Sequence, residues 1–179
     1  MSSQPDTASD RTQKTVTRRA LVSAGVFGFG FSGLIDVIVL HQILQWHHLV
    51  SGLYPMYTLD GLEMNILADG LFSLGMLIIM GIGAGLVWRS ERRTTVPLAV
   101  RPLAGAALIG LGVFDVYDAL IDHALLGLHR PVGPGGRPLS PGGQYNPHWI
   151  AVSLLFVAAG YYVYRTGIQN RSGNPDDRP

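Results

Sequence analysis

The sequence predicts an all-α membrane domain of four spanning helices. Three observations predict it. Apolar runs dominate the 179 residues, of which only 14% are charged, and the mean hydropathy is +0.27. Segments 71–88 and 149–164 carry no charge on any face, whereas a helix of a soluble bundle would alternate charged and apolar faces. The arginines gather in blocks that alternate with loops poor in Lys and Arg.

Residues 1–19 are polar and are expected to form a disordered cytoplasmic tail. Arg18-Arg19 abuts an apolar run, so a cleaved signal has to be considered. The run continues to Leu44, too long for a signal core, and no small-residue cleavage site ends it. It is therefore read as span 1, roughly 20–46, ending at the interfacial aromatic Trp46.

A connection with Gly52, Pro55 and two Tyr follows, and Asp60 with Glu63 fits a capping box. Span 2 covers roughly 61–88 and contains Asn65 and Asp69. A basic turn holding Arg89, Arg92, Arg93 and Arg101 leads to Pro102, which suits a first helical turn. Span 3 covers roughly 102–128.

Pro131, Pro134, Pro138 and Pro141 make 130–145 an irregular loop. Asn146-Pro147 then reads as a cap and first position for span 4, roughly 147–165. Residues 167–179 are expected to be a second disordered tail, so the membrane domain is 20–166. The arginines put both termini on the cytoplasmic side of the plasma membrane and the loops after spans 1 and 3 outside.

Spans 1 and 3 close on the same pattern, Asp-x4-His-x5-His. In one copy it is Asp36, His41, His47, and in the other Asp118, His123, His129. Gly28 and Gly30 precede the first copy in register with Gly110 and Gly112 before the second. This reads as a parallel duplication of a two-helix unit about an axis along the membrane normal. Val87-Trp88-Arg89 against Val163-Tyr164-Arg165 gives weak further support. The symmetry sets His41 against His123 and Asp36 against Asp118. The glycines at 28, 30, 33, 81, 83, 85, 105, 110 and 112 are expected to let helices approach closely.

Ionisable groups inside spans are costly and mark function by default. All six His fall at the outer ends. Helix rise sorts the groups by depth: His47, His48, His129, His148 and Glu63 outermost, then His41, His123 and Asn65, then Asp36, Asp118 and Asp69. Asp115, Asp118, Asp122 and His129 share one stripe of span 3. Asp36 and His41 diverge by about 140° on an α-helix, so without distortion one helix cannot present both to a single ion.

Plainer readings stand beside these. His47, His48 and His129 also suit an interface with lipid headgroups, and Gln42 and Gln45 can bond between helices without chemistry.

The string Leu40-His41-Gln42-Ile43-Leu44-Gln45-Trp46-His47-His48, with Asp36 ahead of it, resembles the bacterial and archaeal membrane proteins labelled DUF2243. Asp122-His123 and Leu126-Gly127-Leu128-His129 resemble that family's second signature. The resemblance spans most of residues 20–166 and implies a small multi-pass membrane protein of no assigned activity. Val37 stands where the family pattern has Gly, and Ala124 and Arg130 where it often has a second His.

The leading expectation is a transition-metal site with His41 and His123 as central ligands. Asp36, Asp118, Asp69, Asp122, His47 and His129 would complete or support it. Imidazole with carboxylate suits Zn, Fe, Mn or Cu(II), and the absence of Cys argues against a soft Cu(I) site. Haem b between His41 and His123 is the alternative cofactor. Proton or small-solute passage along the acidic stripe and a scaffold without chemistry are the others. Passage through so few spans would call for a homo-oligomer. The partner implied throughout is the lipid bilayer. The basic blocks are too small and separate for nucleic acid, and no nucleophile or phosphate-loop motif assigns an enzyme activity.

Overall fold

The computed structural model describes residues 8–129 and 146–172. The expected loop 130–145 lies outside the described residues, as do the chain ends. The described chain is all-helical, and four helices are long and apolar enough to cross a membrane.

Helix α1 spans Ala8–Asp36 and continues as a π-helical segment, Val37–Ile43. It thus begins inside the stretch expected as a disordered tail. Extending an existing helix adds one hydrogen bond per residue fixed, and neither Gly nor Pro interrupts 8–19. Helix α2 spans Leu59–Glu91. Its cap is Thr58, whose Oγ1 accepts from Gly61 N at 3.2 Å, and not the expected Asp60. Thr58 carries the extended backbone of a cap, while Asp60 already lies in the first turn.

Helix α3 spans Val100–Tyr117 and continues as a second π-helical segment, Asp118–Leu125. Helix α4 spans Asn146–Ser172, again running into an expected tail.

The helices are arranged as a row. α1 and α3 pack on each other at the centre, α2 packs on α1, and α4 packs on α3, with no extensive contact between α2 and α4. A Cβ at Gly28 would fall on the Ala107 backbone, and one at Gly110 on the Gly25 backbone, so the central crossing needs bare glycine. Gly83 meets Phe27, and Gly160 meets Ile109, in the outer pairs. Gly81 and Gly85 face open space and carry none of the packing expected of them. α2 and α4 leave Ile66, Leu71, Leu74, Ile78, Leu154 and Leu155 exposed, as lipid-facing helices do.

Both π segments end alike. Leu44 N donates to Val39 O at 2.9 Å and Trp46 N to Leu40 O at 2.9 Å; Leu126 N donates to Ile121 O at 2.8 Å and Leu128 N to Asp122 O at 2.9 Å. Gln45 (φ 50°) and Gly127 (φ 60°) then take the left-handed conformation. Gly127 accepts this freely, whereas Gln45 holds it at a cost of about 1–2 kcal/mol. Each turn sends the chain back toward the bundle instead of out along the helix axis.

Candidate metal centre

That return decides the site. His47 and His129, expected outermost, are 2% and 1% exposed. Members of all three depth layers meet in one buried cluster, and the burial of His47, His48 and His129 overturns their headgroup-facing reading. His47 and His129 stack with ring centroids 4.6 Å apart and planes 23° apart. His41 lies edge-on 4.6 Å from His47 and 5.4 Å from His129. His123 lies 4.4 Å from His129 and 6.1 Å from His47. The central facing pair is thus His47 with His129, and not His41 with His123.

The π segments supply the distortion that an α-helix lacks. With hydrogen bonds from i to i+5, residues five apart come onto one face. His41 Nε2 stands 3.4 Å from Asp36 Oδ2, and His123 Nε2 stands 3.1 Å from Asp118 Oδ2. His129 Nε2 approaches Asp118 Oδ1 at 3.4 Å.

Asp69 comes from α2 and acts on histidines of the neighbouring segment. Its Oδ1 faces His41 Nδ1 at 2.8 Å and accepts Leu49 N–H at 2.9 Å. Its Oδ2 faces His48 Nδ1 at 2.6 Å. A carboxylate only accepts, so both ring nitrogens donate. Asn65, one turn earlier on α2, pins the loop: its Oδ1 accepts Val50 N–H at 3.2 Å, and its Nδ2 donates to Tyr54 O at 2.9 Å and Gly61 O at 2.8 Å. Gly52 N donates to Leu128 O at 2.7 Å and ties this loop to the end of α3.

These bonds fix which nitrogens face inward. His129 Nδ1 donates to the Leu49 carbonyl at 3.1 Å. His41 and His129 therefore have Nδ1 committed, and in the neutral ring Nε2 carries a lone pair. Both Nε2 atoms are buried without a hydrogen-bond partner, as are both nitrogens of His47 and Asp36 Oδ1. Each such group costs about 1–3 kcal/mol if nothing satisfies it. Moreover, lone pairs face carboxylate oxygens at His41/Asp36 and His129/Asp118, an arrangement that calls for a proton or a cation between them.

Two groups bring potential ligand atoms within 4.8 Å of one another: His41, His47 and His129, and Asp118, His123 and His129. Of the sequence candidates, Asp36 sits beside His41 outside both groups, and Asp69 orients His41 and His48. Asp122 is buried and belongs to neither group. His148 and Glu63 are exposed, as are Gln42 and Gln45. Burial holds His47 well below the ordinary imidazole range and His129 down at about 4, with neighbouring histidines adding to the depression at His47. Both rings are neutral at pH 7, the form that ligates metal.

His48 as a partner of Asp69, and the loop backbone at Leu49, were not readable as site components. The signal for His48 was its neighbour His47, and nothing in the sequence marks Leu49. Below the cluster, Ser32 Oγ donates to buried Asp115 at 2.7 Å and joins α1 to α3.

A family model described as "Predicted membrane protein (DUF2243)" matches residues 23–167. No curated protein and no solved structure matches the chain.

Proposed function

Because the chain belongs to the DUF2243 family of predicted membrane proteins, a description that assigns no chemistry, we propose a function from its own residues: it binds a transition-metal ion at one end of its helices through buried imidazole, with carboxylates as further ligands or partners. The observation that carries this is the set of inward lone pairs. His41 and His129 have Nδ1 tied to an acceptor and Nε2 aimed into a space shared with His47. Such second bonds orient metal-bound histidines in general.

The His41/Asp36 and His129/Asp118 pairs are each 3.4 Å apart and the His123/Asp118 pair 3.1 Å, and this donor set of imidazole with carboxylate suits Zn, Fe, Mn or Cu(II). Haem b has little support, because the rings of His47 and His129 occupy the space between His41 and His123. Elemental analysis of protein purified without a metal-affinity step tests the proposal. About one transition-metal ion per chain is expected, lost in His47→Ala; a metal-free wild type refutes it.

Two features of the frame belong to this reading. The helix pairs α1–α2 and α3–α4 are read as two copies of one unit. The same interval separates Asp36 from Asp118, His41 from His123, His47 from His129 and Gln45 from Gly127. The reciprocal glycine contacts at α1–α3 support it. They also imply a register in which Gly83 pairs with Gly160, one residue away from the Val87/Val163 match read from sequence. The metal end is read as external and both termini as cytoplasmic, supported by Arg18, Arg19, Arg89 and Arg93 at the opposite end.

Proton passage is a second reading, favoured by the buried Ser32–Asp115 pair deeper than Asp118. Proton flux in liposomes, abolished in Asp115→Asn, would support it.

A further inference from the structure

The end of the helices remote from the histidines has a charged hollow of its own. A cavity of about 550 Å³ lies between α1 and α2, and Arg18, Arg19, Arg89 and Arg93 line it. None of the four pairs with a carboxylate among the described residues. Arg92, by contrast, lies 5.3 Å over the Trp88 ring. Four arginines around one hollow repel each other and gain from a shared anion.

A second hollow of about 660 Å³ adjoins it, since Arg18 and Val22 line both. Its wall is apolar, with Leu21, Val26, Phe29, Ile109 and Val113 from α1 and α3. Depth fits a membrane leaflet. Arg19 precedes His41 by a helical length of about 30 Å, the thickness of a hydrocarbon core, so the basic hollow lies at the opposite boundary and the apolar one reaches inward from it.

We infer that α1, α2 and α3 form a binding site for one anionic phospholipid, its phosphate held by Arg18, Arg19, Arg89 and Arg93 and an acyl chain laid along Leu21, Val26 and Phe29. The ligand chemistry is a phosphate with an attached hydrocarbon chain. A free phosphate satisfies the first hollow alone. A basic pocket between spanning helices is a recognised way to hold anionic headgroups. The site is separate from the metal centre and stands whether or not metal binds.

Lipid retention tests it. Full-length protein in nanodiscs of mixed phosphatidylglycerol and phosphatidylcholine is extracted in mild detergent, and bound lipid is identified by native mass spectrometry. Phosphatidylglycerol is expected to be retained preferentially, and the preference should fall about fivefold for each arginine removed in Arg89→Gln and in Arg89→Gln/Arg93→Gln. The double variant should keep wild-type helicity and metal content, which excludes misfolding. Equal retention of the two lipids, or a preference unmoved by the double variant, overturns the inference. So does inorganic phosphate that stabilises the wild type as well as the lipid does, because the apolar hollow then contributes nothing.

Discussion

Asp36 and His41 are five residues apart on one helix, yet Asp36 Oδ2 lies 3.4 Å from His41 Nε2. An α-helix would point them about 140° apart. The π-helical segment Val37–Ile43 aligns them, and the segment Asp118–Leu125 does the same for Asp118 and His123 at 3.1 Å. π-helical turns are rare and concentrate at functional sites. Two of them at matching places make the carboxylates part of the metal proposal. Asp36→Asn and Asp118→Asn should each lower metal affinity by about 10-fold or more. Equilibrium competition with a chromogenic chelator measures this.

Asp69 is predicted to act through the histidines and not as a ligand. Asp69→Asn keeps one acceptor oxygen but cannot accept from both His41 and His48. One ring then loses its partner and its enforced tautomer. Metal affinity should fall about 10–100-fold with the helical content intact. Asp69→Ala also orphans Leu49 N–H and should destabilise further, by about 1–3 kcal/mol for each donor left unsatisfied. Thermal melts of the two variants in detergent separate the effects.

The pattern of the cluster was legible because Asp and His stand out in apolar runs. Asp36, His41, His47 and their counterparts announced themselves by repetition. Their convergence was not legible, for two physical reasons. Counting 3.6 residues per turn through Val37–Ile43 misplaces every side chain beyond it. Gln45 also takes φ 50°, a conformation its residue type does not advertise, so Gln45 by itself does not mark the inward turn of His47 and His48. Gly127 does advertise it, and the repeat would have carried that hint back to Gln45. The Thr58 cap was missed because Asp60 offered a competing signal of the same kind.

His47 and His129 bear on pH. Burial lowers both, His129 to about 4, while the unfolded imidazole titrates near 6.5. Between those values the unfolded chain binds a proton that the folded chain refuses. The contribution of His129 to stability is therefore complete above pH 6.5, falls as pH drops toward about 4, and stays lost below that. Metal-free protein should melt at progressively lower temperature from pH 7 to pH 5. Added Zn(II) should raise the melting temperature across that window, because it binds the folded state alone.

The central crossing provides the sharpest test of the architecture, because glycines of one helix pair are predicted to behave oppositely to glycines of another face. A Cβ at Gly28 would fall on the Ala107 backbone and one at Gly110 on Gly25, where backbone, not a flexible side chain, must yield. Gly28→Leu or Gly110→Leu should separate α1 from α3 and cost about 1–3 kcal/mol or more. Because the proposed metal ligands come from segments that continue both helices, the same substitutions should weaken metal binding several turns away. Gly81 and Gly85 on α2 meet nothing within 4 Å. Gly81→Ala and Gly85→Ala should be neutral or stabilise by up to about 1 kcal/mol, since alanine restricts the unfolded chain. Melting temperature and metal content, measured on all four variants, decide it. Unchanged melting temperature and metal content in Gly28→Leu and Gly110→Leu would show that α1 and α3 do not meet at the centre.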